Sequence, residues 1–235
     1  MKKIKVIAFD ADDTLWVNEP IFTKTQKEFK TLLEPYLTGD EIDTKLYNAE
    51  IRNLRLFGYG VKGFMLSMIE TAIELTQGKI TGSEIQRIID LGKEMIEHPI
   101  EVLPNVEETI KLLQDQYELM VITKGDLFDQ ESKIARSGLG IYFSKVEIVS
   151  EKNEQSYLNI IRKNNIIADE FIMIGNSLKS DILPVCKIGA HAVHIPFHVT
   201  WAHELVETHQ IEGVAYQELA DISLLPELLN QFLIV

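Results

Sequence analysis

The feature that most restricts this chain is the run Val6-Ile7-Ala8-Phe9, apolar at every position, which stops abruptly at Asp10-Ala11-Asp12-Asp13-Thr14. A strand apolar on both faces reads as a central member of a parallel sheet, because helices then cover both of its faces. The acids fall at the carboxyl end of that strand, where open α/β sheets place their ligands. Carboxylates packed this closely repel one another, so such a cluster calls for a cation to neutralise it or a reaction that uses it.

The rest of the chain tells which sheet this is. From Val17 to Pro99 the periodicity is helical and carries no strand signal. Helices are predicted over Ile21–Tyr36, Glu41–Leu56, Phe64–Leu75 and Ile85–Ile96, the last with Thr81 or Ser83 available as an N-cap and Pro99 just past its end. Phe64–Leu75 is apolar around much of its circumference, as a helix buried among others would be. From Pro104 onward helix and strand alternate. The order is helix Val106–Leu113, strand Tyr117–Thr123, helix Asp126–Ser137 closed by Gly138, strand Lys145–Val149, helix Gln155–Lys163 and strand Phe171–Ile174. Helix Leu178–Lys187, strand Ala190–Ile195 and a last helix over Leu224–Leu233 follow. This grammar predicts an α/β fold: a three-layer, Rossmann-like core with a mostly parallel sheet over residues 1–16 and 100–235, interrupted by an all-helical insert over 17–99.

Composition narrows the function classes. A chain of 235 residues accommodates one core domain with an insert. With 46% hydrophobic residues and a mean hydropathy of +0.01 it is too apolar for disorder, yet it has no long uncharged apolar run to span a membrane. Lys3 and Lys5 precede an apolar stretch, but Asp10, Asp12 and Asp13 interrupt it too early for an export signal, so a cytoplasmic location is expected. The sole cysteine, Cys186, excludes an intramolecular disulfide and a thiolate zinc cluster and fits a reducing compartment. The net charge of −13 argues against a nucleic-acid surface. It leaves a small anionic substrate open, because a metal ion or a lysine can reverse the field inside one pocket. His191, His194, His198, His203 and His209 are crowded, but His191 and His194 lie an odd number of residues apart on one strand and so point to opposite faces, which argues against a shared metal site.

Polar residues of specific types stand at four strand ends: Asp10, Asp12 and Thr14; Thr123; Lys152; and Gly175-Asn176-Ser177 with Asp181. In a parallel sheet these ends converge on one edge. On those residues the chain resembles the haloacid dehalogenase-like superfamily, whose members are mostly magnesium-dependent phosphohydrolases. Asp10, Asp12 and Thr14 match its Asp-x-Asp-x-Thr motif, Thr123 its strand-ending Thr or Ser, Lys152 its lysine before a helix, and Asp181 its acidic loop after a strand. The resemblance covers essentially the whole length, and the insert over 17–99 looks like the family's C1-type cap, which closes over the active site.

The implied chemistry suits these residues in their own right. Phosphoryl transfer needs an in-line nucleophile, neutralisation of the phosphoryl oxygens and a proton donor for the leaving oxygen. Asp10, first after the strand, is the candidate nucleophile, and Asp12 the residue that protonates the leaving alcohol and then deprotonates water. Asp10, Asp181, Asn176 and the backbone carbonyl of Asp12 would hold Mg²⁺, which prefers oxygen ligands. Thr123 and Lys152 would hold the phosphoryl oxygens, with backbone N–H groups near Lys124 and Gly125 assisting. Asn176 stands where many members have an acid, so weaker metal binding is expected. Asp13 occupies a position that is often glycine and reads as a turn residue pointing away from the chemistry. The family's true dehalogenases lack an acid at the position of Asp12, which opposes that reaction here. A phosphonatase would need a desolvated cap lysine, and the setting of Lys62 between Val61 and Gly63 gives no sign of one. The expected activity is a phosphatase on a small phosphorylated metabolite, such as a sugar phosphate or nucleotide, with no nucleic-acid or membrane partner. Arg52, Arg55 and Lys62 read either as substrate-selecting residues or as a solvated face with local ion pairs. A phosphomutase of the same fold and a non-catalytic, receiver-like phosphate-binding regulator are the alternatives.

Overall fold

Val6–Phe9 forms β1, and all four of its residues are buried. In the computed structural model, which describes residues 4–37 and 39–232, four helices follow: α1 (Glu19–Leu33), α2 (Gly39–Phe57), α3 (Val61–Leu75) and α4 (Gly82–Glu97). The alternating part then runs through α5 (Val106–Leu113), β2 (Glu118–Lys124), α6 (Leu127–Arg136), β3 (Lys145–Val149), α7 (Glu154–Lys163) and β4 (Phe171–Gly175). It closes with α8 (Leu183–Lys187), β5 (His191–His194), α9 (Thr208–Ile211), β6 (Gln217–Glu218) and α10 (Leu225–Asn230). The strands make one sheet in the order β3-β2-β1-β4-β5-β6, and every neighbouring pair is parallel.

Side-chain alternation along these strands builds two apolar layers. Ile7, Phe9, Val121, Ile172, Ile174 and Val193 pack on one face with Ile110 of α5 and Leu225 and Leu228 of α10. Val6, Ala8, Met120, Ile122, Phe171 and Met173 pack on the other with Tyr157 and Ile160 of α7 and Val185 of α8. The sheet is thus covered on both faces, which is why β1 tolerates no polar residue. Phe9 pairs in register with Val121 and Ile174, so Asp10 emerges level with Gly175, the last residue of β4, while β2 continues to Lys124.

The chain divides into two compact units. The first comprises the chain up to Glu19, Ile100–Lys124 and everything from Gln130; the second comprises Pro20–Pro99 and Gly125–Asp129. The second has its own core of Phe29, Leu33, Ile42, Leu46, Phe64, Met68, Ile88 and Met95. Thr81 caps α4 in a reciprocal capping box with Glu84. The side chain of Met65 on α3 packs against α4 at Gly92, where a Cβ would lie 2.7 Å from its sulfur.

Three local features differ from the sequence-based expectation. Leu178–Lys187 is not one α-helix: a single π-type turn over Leu178–Ile182 precedes α8. Pro184 cannot donate to the carbonyl of Ser180, and the hydroxyl of Tyr157 donates to that carbonyl instead, at 3.0 Å. β6 and α9 were not anticipated, being only two and four residues long, too short for a period to show. The last helix ends at Asn230, and Leu233 lies outside the described residues. Among the described residues no helix is long and apolar enough to cross a membrane.

Candidate active site

Three buried charged groups from three different strand ends meet in the first unit. The ammonium of Lys152 donates to Asp10 Oδ1 and, at 2.7 Å, to Asp181 Oδ1. Asp10 follows β1, Lys152 precedes the Asn153 N-cap of α7, and Asp181 lies in the wide turn after β4. Burial pushes Asp10 up from 3.8 to about 7; Lys152 opposes the rise and Asp181 adds to it. Burial alone would lower the Lys152 pKa, but the two carboxylates outweigh it and hold the amine above the ordinary lysine range.

The oxygens around this pair fit a hard cation. Thr14 Oγ1 lies 3.3 Å from Asp10 Oδ2 and 3.2 Å from Asn176 Oδ1, and its single proton serves only one of them at a time. Asp10, Asn176 and Asp181 therefore offer oxygen donors in excess of the protons available to them, the donor set Mg²⁺ prefers. Among the described residues no group of three or more His, Cys, Asp or Glu forms a metal cluster, because the third donor here is a carboxamide. Gly175 makes the approach possible: a Cβ there would lie 2.3 Å from Asp181 Oδ2. That oxygen accepts the Ser177 N–H at 3.0 Å, and His194 Nε2 lies 3.1 Å from the carbonyl oxygen of Asn176, so the loop is fixed at several points.

Asp12 and Asp13 have separate environments. Asp12 accepts from Trp16 Nε1 at 2.7 Å, Gln130 Nε2 at 2.8 Å and Lys133 Nζ at 3.1 Å. Lys133 also donates to Asn18 Oδ1 at 2.8 Å. Asp13 adopts φ 61°, which explains why glycine would suit the position. Its carboxylate accepts the N–H groups of Asn18 (2.8 Å) and Glu19 (3.0 Å) at the start of α1. Burial nonetheless pushes it up from 3.8 to about 7.

Thr123 is buried at the end of β2, with its hydroxyl 3.4 Å from Gln130 Oε1, so Gln130 links it to Asp12. The side chain of Lys124 turns to Glu204 Oε1 at 2.5 Å and Ser180 Oγ at 2.9 Å. Gly125, at φ 151°, holds a backbone conformation that side-chain-bearing residues rarely adopt. In the second unit Arg52 pairs with Glu70 at 3.1 Å, Lys62 pairs with Asp126 at 2.9 Å, and Arg55 is exposed. His191 packs edge-on against Phe232, whereas His194 faces Glu218 and Asn176, so the two do not share a site. Sequence reasoning missed Trp16, Gln130, Lys133 and Glu204. A signal existed for two of them: Gln130 and Lys133 are polar residues on the buried side of α6, beside Ile134.

A family model for the haloacid dehalogenase-like hydrolases matches residues 4–184. The chain belongs to that family. It is similar over 98% of its length to a solved haloacid dehalogenase-like family hydrolase from Xanthomonas campestris, with 38% identity, 92% of that chain covered and a TM-score of 0.87. It is 23% identical over 234 residues to the 5-amino-6-(5-phospho-D-ribitylamino)uracil phosphatase YigB of Escherichia coli (strain K12), covering 91% of this chain and 94% of that protein. A 2-haloacid dehalogenase from Pseudomonas syringae shares the fold at 19% identity and a TM-score of 0.65, over 97% of this chain and 99% of that one. Proteins named for both reactions share this fold, and the side chains of the site have to distinguish them.

Proposed function

We propose that this hydrolase is a Mg²⁺-dependent phosphatase that cleaves a small phosphomonoester through an aspartyl-phosphate on Asp10. The observation that carries the reading is Asp12: a carboxylate two residues beyond the nucleophile, oriented by Trp16, Gln130 and Lys133. Displacing a halide needs no proton donor at that place, whereas an alkoxide leaving group does. In the first step a carboxylate oxygen of Asp10 bonds to phosphorus, the ester P–O bond breaks, and Asp12 gives the leaving oxygen its proton. In the second, water attacks the phosphorus of the aspartyl-phosphate, gives its proton to Asp12 and releases phosphate and the Asp10 carboxylate. Lys152 and Thr123 hold phosphoryl oxygens, with the backbone at Lys124 and Gly125 assisting. When bound by Asp10, Asn176, Asp181 and the carbonyl of Asp12, Mg²⁺ would supply positive charge against the phosphoryl oxygens. We assign substrate choice to Arg55 and to Arg52 and Lys62, whose exposed ion pairs an anionic substrate can displace at little cost.

The test measures phosphate release from sugar phosphates, nucleotides and other monoesters with and without Mg²⁺, and halide release from 2-haloacids in parallel. Mg²⁺-dependent phosphate release that vanishes in Asp10→Asn is expected. Phosphate release surviving in that variant, or halide release in its place, would overturn the reading.

A further inference from the structure

The segment between β5 and α9 contributes one nearly buried carboxylate, Glu204, that the catalytic scheme above does not use. Its side chain is 11% exposed, and it gathers donors from two different strand ends. Glu204 Oε1 accepts from Lys124 Nζ at 2.5 Å, one residue beyond Thr123. Oε2 accepts from Ser177 Oγ at 2.5 Å and Ser180 Oγ at 2.6 Å. Those serines belong to the loop that carries Asn176 and Asp181, and Ser177 Oγ in turn accepts the Ser180 N–H at 3.0 Å. Both oxygens of the carboxylate are therefore spent on fixing this loop to the end of β2.

We propose that Glu204 is a positioning residue for the metal: by bonding Ser177 and Ser180 it sets the loop in the form that presents Asn176 and Asp181, and by pairing with Lys124 it cancels a positive charge that would compete with a divalent cation. The inference rests on the metal assignment above. The ammoniums of Lys152 and Lys124 both contact the loop that carries Asp181. Lys152 answers Asp10 and Asp181, and without Glu204 the ammonium of Lys124, 2.9 Å from Ser180 Oγ, would stand one residue from Asp181 with its charge answered by the longer, more exposed contact to Glu151 Oε1 at 3.7 Å. No local pattern announces the role, since Glu204 closes a single 3₁₀ turn over Ala202–Glu204.

The experiment reads equilibrium binding of Mn²⁺ to the full chain, from the EPR signal of the free aquated ion, with Mg²⁺ as competitor and no substrate present. Wild type is expected to bind one ion, and Asp181→Asn to lose it. Glu204→Gln, which keeps the bulk and removes the charge, is expected to weaken binding about 10–100-fold, the range for residues that orient metal ligands. Ser180→Ala, which leaves the Lys124–Glu204 pair in place and so protects folding, removes the Ser180 hydrogen bonds to Glu204 and Lys124 and is expected to weaken it at least about fivefold. Unchanged affinity in Ser180→Ala together with unchanged affinity in a folded Glu204→Gln overturns the role of Glu204 while leaving the metal site standing; if Glu204→Gln does not fold, Ser180→Ala decides alone. A wild-type chain that binds no Mn²⁺ overturns the metal assignment itself, and the proposal with it.

Discussion

Replacing Lys152 by Met removes the ammonium between Asp10 and Asp181 and keeps most of its stem. The gross attraction lost is large: at 2.7 Å the Asp181 contact alone amounts to about 6 kcal/mol with an effective dielectric of about 20. Part of that is returned because a buried ammonium no longer has to be desolvated, and a net cost of about 3–5 kcal/mol is the usual result of stranding a buried charge. Here two carboxylates are stranded, so the upper part of that range applies. For a chain of this size each kcal/mol lowers the melting temperature by about 2–4 °C, which gives a fall of about 8–20 °C for the core unit. The assay is thermal melting followed by circular dichroism in metal-free buffer at about pH 8, above the value of about 7 to which burial pushes wild-type Asp10. The loss should shrink as pH falls through the range in which Asp10 takes up a proton, since its folded pKa, already about 7, rises further without the ammonium. Millimolar Mg²⁺ should recover part of the loss by replacing the missing charge. A variant that melts within about 2 °C of wild type at about pH 8 would refute the view that Lys152 balances this pair.

Two further outcomes follow from the same geometry. Asp12→Asn should lose about 10²–10⁴-fold in turnover of alkyl phosphates, yet still give a burst of nitrophenolate from p-nitrophenyl phosphate, whose leaving group needs no proton, followed by slow turnover of the trapped aspartyl-phosphate; absence of the burst under rapid mixing would assign Asp12 a purely structural part. Asp13 has a folded pKa near 7 against 3.8 when unfolded, so its contribution to stability is fully present below about pH 4 and declines as pH rises through 7. Asp13→Asn removes that decline, worth at most about 4 kcal/mol, and should flatten the pH dependence of urea unfolding between those limits, whereas an unchanged slope would contradict it.

What could be read in the sequence, and what could not, divides along a physical line. Asp10, Thr123, Lys152 and Asp181 were legible because each lies at a strand end or within the few residues that follow one, and parallel topology then brings the ends together. Glu204 was not, because its function depends on serines and a lysine from distant segments and on no local pattern. Gln130 and Lys133 lie between: their place on the apolar side of α6 marks them as buried polar groups, but nothing in the chain names Asp12 as their partner. The π-type turn before α8 was in principle readable from Pro184, since a proline at that point must release the carbonyl of Ser180. Asp13 was read as a turn residue, and the structure adds that its carboxylate caps α1.

The charges at the sheet edge account for the departure at Asn176. Lys133 faces Asp12, Lys124 faces Glu204, and Lys152 alone faces both Asp10 and Asp181. Two carboxylates share the one ammonium of Lys152, so an uncompensated negative charge falls on the Asp10–Asp181 pair. An acid at position 176 would add a second uncompensated charge within 3.2 Å of Thr14 Oγ1, in the place where Asn176 Oδ1 now stands. It would strengthen the hold on a divalent ion, but it would also repel the dianion of a phosphomonoester arriving at the same oxygens. The carboxamide keeps an oxygen donor for the ion and removes that repulsion. With one negative charge fewer drawing on the ion, the geometry of the remaining donors carries more of the binding, which gives the loop contacts of Glu204, Tyr157 and His194 their importance.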